Sequence, residues 1–163
     1  MTALFTLDAR LEGLEAVDAA LARLDPIDGQ SLLEGLGRMI QEQTRRRIIS
    51  EKRGPDGKAW QPNRAGTSTL FRSGTLARSV DYSATAETAI VGSGLIYAGV
   101  HQIGATITPK KAKRLMFRVG NRTIFARKVT IPPRPYLGIS GENGDDLLDA
   151  VAMFLRRVLG GGR

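Results

Sequence analysis

The order of segments in the amino-acid sequence predicts an α+β fold. It would consist of two N-terminal helices, an antiparallel sheet with a projecting hairpin, and one C-terminal helix. Two observations carry this prediction. Apolar residues recur at spacings of three and four near both ends of the chain, as on the buried face of a helix. Between them lie β-prone runs joined by turn residues, without the alternating helices of a parallel sheet. With 163 residues, we predict one domain over residues 1–163.

Two helical stripes occupy the N-terminal part of the chain. The apolar residues of the first are Leu7, Leu11, Leu14, Val17, Leu21 and Leu24. Asp25-Pro26 ends this helix, because the residue before proline is pushed out of the helical region. Residues 1–26 are therefore predicted to form an N-terminal helical arm. A second helix is predicted to begin at Ser31, where Glu34 completes a capping box. The basic run 45–47 at its end suits the negative pole of the helix dipole.

Turn residues separate this helix from the β-prone middle of the chain. A connector rich in glycine and proline contains the single tryptophan, Trp60. The segment 70–80 is either a short helical turn or the entry to a strand. The runs 79–86 and 88–94 are separated by little more than Glu87, which predicts a hairpin.

A second hairpin is predicted around Gly120-Asn121, because this pair separates two strand-like runs as a two-residue primed turn does. Folding there places Phe117 opposite Ile124 and Val119 opposite Arg122. The two phenylalanines of this region, Phe117 and Phe125, alternate like sheet residues, so we expect both in the core.

The C-terminal part begins with the proline-rich segment 131–140, which cannot be a central strand because its three prolines lack amide donors. A helix is predicted to open at Asp145-Asp146. Its buried face consists of Leu147, Val151, Phe154, Leu155 and Val158.

Composition excludes several kinds of chemistry. The chain has no cysteine and one histidine, which excludes disulfides and a cysteine nucleophile and leaves a structural zinc site without its usual ligands. We expect no metal and no cofactor. No run approaches the roughly 18–20 apolar residues of a membrane helix, and the N-terminus lacks the features of a signal peptide. The expectation is a protein that stays in the cytosol until it is used and has no membrane partner.

The single histidine, His101, is the first candidate for catalysis. A nucleophilic triad would need a hydroxyl and an orienting acid beside it, yet the chain contains no G-x-S-x-G elbow. The glycine-rich segment 92–99 does not match G-x-G-x-x-G. We therefore predict no enzyme, with His101 a hydrogen-bonded and partly buried residue.

Positive charge is concentrated in one short region. The net charge is +8 and the isoelectric point near 10.4. Eight basic residues and no acid lie between positions 110 and 128: Lys110, Lys111, Lys113, Arg114, Arg118, Arg122, Arg127 and Lys128. Such a hairpin suits contact with phosphates, which is independent of base sequence and sensitive to salt. It equally suits an edge hairpin that its cations keep soluble.

Four motifs follow one another in an order typical of a known family. They are P-D-G-x-x-W at 55–60, L-x-x-S-G-x-L-x-x-S at 70–79, Y-A-x-x-H-Q-x-G at 97–104 and I-P-x-R-P-Y-L-G at 131–138. In this order they resemble the Mu-like phage virion morphogenesis, or tail completion, family over about residues 30–160. The motif residues expected to have structural roles are Trp60, His101, Gln102, Gly104, Arg134, Pro135 and Tyr136.

The resemblance implies a structural protein of a phage virion, at the head-proximal end of the tail or in the neck. It implies tail completion and head–tail joining without catalysis or cofactors, as a ring around the DNA channel. The implied partners are further copies of the chain, neighbouring neck and tail proteins, and genomic DNA bound without sequence specificity. Its location would be the virion, assembled in the host cytoplasm. The alternative is a free-standing basic nucleic-acid-binding module.

The resemblance also suggests local roles for its motif residues. His101 and Gln102 look like the polar corner of a turn that Gly99 and Gly104 make tight. The prolines of 131–138 are expected to hold Arg134 and Tyr136 in an extended, presented segment. For the basic hairpin we favour a position facing the DNA channel over one facing a protein neighbour, because its turn can project from the sheet.

Overall fold

The computed structural model describes residues 26–64 and 66–160. Helix α1 (Pro26–Arg46) continues into a π-helical turn, Arg47–Glu51. The remaining helices and strands follow in chain order: α2 (Thr75–Ser79), β1 (Val80–Ala84), β2 (Ala89–Ser93), α3 (Ala98–Ile103), β3 (Ala105–Ile107), β4 (Leu115–Val119), β5 (Arg122–Ala126), β6 (Val129–Ile131) and α4 (Gly141–Gly160). The helix predicted over residues 7–24, and with it the N-terminal arm, lies outside the described residues.

The α+β class is confirmed, and the antiparallel strands of the described residues form three two-stranded sheets instead of one. The pairs are β1 with β2, β3 with β6, and β4 with β5. Each strand has three to five residues. Strand β6 cannot extend into a larger sheet, since Pro132 and Pro133 follow it directly and have no amide hydrogen to donate.

The core lies where α1 and the π-helical turn cross the β1–β2 hairpin. Ile48 and Val80 are fully buried at its centre, with Leu76 and Val91 around them. Gln41 Nε2 and Arg45 Nη2 both donate to the carbonyl oxygen of Val80 at 2.9 Å. Polar side chains of α1 therefore attach this helix to the point where α2 ends and β1 begins. Helix α4 packs along α1 with Leu147 and Phe154 buried.

Both predicted hairpins are confirmed. Segment 70–80 contains both predicted alternatives, because the helical turn Thr75–Ser79 leads directly into β1 at Val80. In the second hairpin Phe117 pairs with Ile124 and Val119 with Arg122, as expected. Gly120 has a φ of 58°, the positive value that the first central residue of a primed two-residue turn adopts.

The starts of two helices differ from the prediction. Helix α1 already includes Pro26, and proline is favoured in the first turn of a helix. Ser31 is therefore an interior residue, and Glu34 accepts a hydrogen bond from Gln30 instead of completing a capping box. Helix α4 begins four residues before Asp145, at Gly141. Its cap is Ser140, whose Oγ accepts a hydrogen bond from the amide of Asn143 at 3.2 Å.

The apolar face predicted for the last helix is confirmed, since its five residues are buried or half-buried. Within the part of the chain that the structure describes, no helix is both long and apolar enough to cross a membrane.

Candidate functional site

The basic hairpin is an exposed structure. All eight of its predicted cations, from Lys110 to Lys128, are exposed. None of them forms a salt bridge with any described residue. Strands β4 and β5 contact each other extensively and no other helix or strand to a comparable degree. At the tip, Arg118 and Gly120 line a shallow depression with Thr67 and Arg72. The hairpin thus presents its charge to solvent, with one further cation, Arg72, beside its tip.

The two faces of the hairpin differ in exposure. Residues that pair directly across two antiparallel strands share a face, so Met116 and Phe125 lie on one face together with Arg118. Met116 is 71% exposed and Phe125 58% exposed. The expectation that Phe125 belongs to the core is wrong, because no helix or strand of the described residues packs extensively on this face. Phe117 lies on the opposite face and is half-buried.

The motif residues form a second, buried site, which joins the proline-rich segment to α3. Gln102 makes three hydrogen bonds there. Its Oε1 accepts from the amides of Tyr136 and Leu137 at 2.9 and 3.0 Å. Its Nε2 donates to the carbonyl oxygen of Leu137 at 3.0 Å. The Gln102 side chain thus satisfies backbone amide and carbonyl groups of the proline-rich segment, as a neighbouring strand would do in a sheet.

Arg134 and Trp60 attach the same segment to the connector after α1. The Arg134 amide donates to the carbonyl oxygen of His101 at 2.7 Å, and its Nε donates to the carbonyl oxygen of Gln61 at 2.9 Å. Trp60 Nε1 donates to the carbonyl oxygen of Pro135 at 3.0 Å. Three motifs that are distant in the chain therefore meet at this junction.

The expectation that Arg134 and Tyr136 are presented to solvent is wrong. Arg134 is 6% exposed and Tyr136 1% exposed. Burial, with a smaller contribution from Tyr97, raises the pKa of Tyr136 to about 12, so its phenol is neutral at physiological pH. The proline-rich segment thus holds these side chains in the core instead of presenting them.

Arg47 completes this junction. Its Nη1 donates to the carbonyl oxygens of Tyr136 and Gly138 at 2.7 and 3.1 Å, and its Nη2 donates to Asn143 Oδ1 at 2.7 Å. It is 2% exposed. Burial lowers the pKa of the Arg47 guanidinium.

Sequence reasoning assigned the basic run 45–47 to the helix dipole and missed this role of Arg47. A signal existed. Position 47 lies seven residues after the half-buried Ile40 and directly before the buried Ile48, so it continues the buried face of α1.

The segment around His101 is helical where a turn was expected, since α3 spans Ala98–Ile103. Of the two glycines assigned to that turn, Gly104 has a positive φ, 76°, and Gly99 does not. A Cβ at position 104 would lie 2.9 Å from the carbonyl oxygen of Ile131 and from the nitrogen of Pro133. Gly104 is therefore required by the close approach of β6, and Gly99 is an ordinary helical residue.

His101 is partly buried, as expected, but the expectation of a hydrogen-bonded imidazole is wrong for Nδ1. This atom is buried and has no hydrogen-bond partner among the described residues. Burial and then the positive charge of Arg134 lower the pKa of His101. The nearby charge is thus a cation, which opposes the protonated imidazole that a catalytic triad must stabilise.

We expect His101→Leu to be tolerated better than His101→Asn. Leucine removes an unpaired buried nitrogen, whereas a buried amide without partners costs about 1–3 kcal/mol.

The lowered pKa of His101 adds a pH dependence to the stability of the folded protein. The unfolded chain binds a proton that the folded protein does not, so this part of the stability is complete above pH 6.5 and is lost as the pH falls below it. The measurement is urea unfolding of both variants and the wild type at pH 7.5 and 5.5. The difference in the free energy of unfolding between the leucine variant and the wild type should therefore shift in favour of the variant at pH 5.5. A larger loss for leucine than for asparagine would show that the imidazole is hydrogen-bonded.

Among residues 26–64 and 66–160, no group of three histidine, cysteine, aspartate or glutamate side chains is placed to hold a metal ion. The residues singled out by the sequence thus form two parts, an exposed cationic hairpin and a buried junction of motif residues.

A family model described as the phage virion morphogenesis family matches residues 10–156. The chain therefore belongs to the phage virion morphogenesis family, and its role lies in the building of the virion. The match confirms the resemblance carried by the four motifs. It also begins inside the N-terminal segment, where no motif was recognised. No curated protein and no solved structure matches the chain.

Proposed function

We propose that this protein is a structural subunit at the head-proximal end of a phage tail or in the neck, required for tail completion and head–tail joining. The observation that carries the proposal is the family match over residues 10–156. We further propose that several copies form a ring around the DNA channel, that the virion is assembled in the host cytoplasm, and that the protein is not an enzyme and uses no cofactor.

The basic hairpin supports a position of the ring close to DNA. A ring repeats the eight exposed cations in every subunit, and like charges held together repel each other. DNA carries one negative charge per about 1.7 Å of helix axis and is the strongest available counter-charge in a channel. In this proposal the loop before β4, with Lys110 and Lys111, and the exposed Arg122 next to the turn of the hairpin lie towards the DNA.

The assembly role is tested by deleting the gene from the phage and supplying the protein from a plasmid. Without the protein, lysates should contain heads and tails that do not form normal joined particles, which negative-stain electron microscopy would show. Infectious titre should fall by several orders of magnitude and return on complementation. Normal joined virions from the deletion would overturn the proposal.

Complementation with hairpin variants tests the contact with DNA. We expect the combined Lys110→Gln, Lys111→Gln and Arg122→Gln variant to assemble joined particles that lose DNA or eject it abnormally, because phosphate contacts are lost while the fold is intact. The matched control replaces three exposed cations outside the hairpin, Arg53, Arg64 and Arg156, with glutamine and should behave as the wild type. The readout is packaged DNA per particle and DNA release on heating. Unchanged DNA retention in the hairpin variant would exclude the channel position.

One observation favours the second candidate, a free-standing nucleic-acid-binding module: the eight hairpin cations have no salt-bridge partner among the described residues. Such a module would bind duplex DNA as a purified protein, with affinity falling steeply as salt rises. A ring subunit would bind weakly in isolation. Tight, salt-dependent binding together with a normal virion from the gene deletion would support the module and exclude the assembly role.

A further inference from the structure

A second surface of the molecule has the opposite character to the basic hairpin. Helices α1 and α4 leave an open groove between them. Its lining residues are Met39, Glu42, Gln43, Arg46, Asp146, Asp149, Ala150 and Met153. Met39, Ala150 and Met153 are apolar, and Met153 is 65% exposed. We refer to these eight residues as the α1–α4 groove.

The charge of the α1–α4 groove is negative. On the α1 side, Glu42 pairs with Arg45 at 3.0 Å and Arg46 pairs with Glu51 at 2.8 Å, so these charges are compensated. On the α4 side, Asp146 and Asp149 have no salt bridge with any described residue. The sequence from position 135 to 155 contains four acids and no base. Gln43 Nε2 donates to Asp146 Oδ2 at 3.2 Å, which holds the two walls of the groove together.

The exposed face of the hairpin is complementary to this groove both in its apolar side chains and in its charge. Met116 and Phe125 offer an exposed apolar pair on which no described helix or strand packs extensively, and Arg118 lies on the same face. Large exposed apolar side chains that are rimmed by charge are typical of protein contact sites. Exposed apolar side chains such as these contribute nothing to a contact with phosphates. The face with Met116 and Phe125 therefore fits a protein surface that is apolar and acidic.

We infer that the face of the hairpin with Met116 and Phe125 binds the α1–α4 groove of a second copy of this chain. Within one copy, β4 and β5 make no extensive contact with α1 or α4, so the two surfaces lie on different parts of the molecule. A contact between two different surfaces is heterologous and repeats from copy to copy, which closes into a ring when the rotation permits. The inference rests on the proposed ring and names the surfaces that form it. It leaves Arg122 and the 110–113 loop free for DNA.

Engineered cysteines test this contact directly, because the full-length chain contains no cysteine of its own. One variant carries Phe125→Cys in the hairpin and another carries Met153→Cys in the groove. Mixed under mild oxidation, they should form a disulfide-linked dimer at least tenfold faster than either variant alone. A chain that carries both changes should form a ladder of linked species that ends at one size. The control pairs Met153→Cys with Ile96→Cys, a residue 97% exposed on another part of the surface, and should not cross-link above background.

Charge reversal adds a second readout that does not depend on the cysteines' reactivity. Arg118→Glu in the hairpin chain should slow cross-linking about tenfold, and Asp149→Lys in the groove chain should restore most of the rate.

Three outcomes would each overturn the inference. Phe125→Cys dimers without the groove variant would indicate a symmetric contact between hairpins. A Met153→Cys thiol that maleimide cannot reach in the dilute monomer would indicate that the chain covers its own groove. Equal cross-linking of the Ile96 control would indicate random collision. None of these outcomes changes the result of the gene deletion, so the assembly role is tested separately.

Discussion

Replacing Arg47 with methionine should lower the free energy of unfolding by about 3 kcal/mol. The change leaves two buried acceptors, on Tyr136 and Asn143, and a partly buried one on Gly138 without their donor. Each unpaired buried group costs about 1–3 kcal/mol, and we take the low end because methionine also removes the cost of burying a guanidinium. For a chain of this length the melting temperature should fall by about 6–12 °C. Urea unfolding and a thermal scan provide the measurement.

Arg46→Met is the matched control for this experiment. Arg46 is the preceding residue and carries the same side chain, but it is exposed and forms an ion pair with Glu51. Loss of an exposed ion pair costs about 0–1 kcal/mol. Similar losses for the two variants would contradict the assignment, since they would show that the junction formed by Arg47 contributes little to stability.

Gly104→Ala is expected to destabilise the fold by about 4 kcal/mol. The backbone at this position has φ 76° and ψ 168°, a region that is essentially restricted to glycine and costs about 1–3 kcal/mol for other residues. The added Cβ would also lie 2.9 Å from two backbone atoms, the oxygen of Ile131 and the nitrogen of Pro133. Backbone atoms cannot rotate away, and overpacking of this kind adds about 1–3 kcal/mol.

Gly57→Ala is the control for the steric clash at position 104, because it adds a methyl group to a glycine of positive φ in open space. Gly57 has nearly the same φ, 77°, but a Cβ there would meet no atom within 4 Å. This variant should show the cost of a positive φ without the steric clash, and its loss should be smaller than that of Gly104→Ala, since the clash alone adds about 1–3 kcal/mol. The free energy of unfolding in urea is the measurement for both variants. Equal losses would show that the close approach between α3 and β6 relaxes easily, contrary to its proposed part in the junction.

The stability of the junction bears on assembly because the hairpin is attached through it. Strand β6 follows the hairpin and pairs with β3, which follows Gly104 directly. The proline-rich segment then leads from β6 to Gln102, Trp60 and Arg47. Side chains that hold this segment therefore set the position from which the hairpin projects. A variant weakened here should show a defect in particle assembly even though no contact residue is changed.

Local features of the chain were predictable from its sequence. The register of β4 and β5 follows from Gly120-Asn121, because a two-residue turn leaves one pairing for the strands on either side of it. The buried face of α4 follows from the spacing of its apolar residues, since 3.6 residues per turn place them on one side. The concentration of cations between positions 110 and 128 requires only counting. The motif residues of the junction were identified through the resemblance, although their contacts were not.

The tertiary structure decided the features that depend on which surfaces meet. Phe125 alternates as a core residue does, yet it is exposed because no helix or strand in the described part of the chain packs extensively on its face of the hairpin. Arg47 belongs to a basic run like those at many helix ends, yet it is buried because the 136–143 segment supplies three oxygens around it. The Nδ1 of His101 is buried without a hydrogen-bond partner among the described residues, and the charge that adds to the effect of burial in lowering its pKa comes from Arg134, 33 positions away. Sequence periodicity reports the side of an element on which a residue lies. Whether another part of the chain covers that side depends on contacts between distant segments, and local spacing contains no information about them.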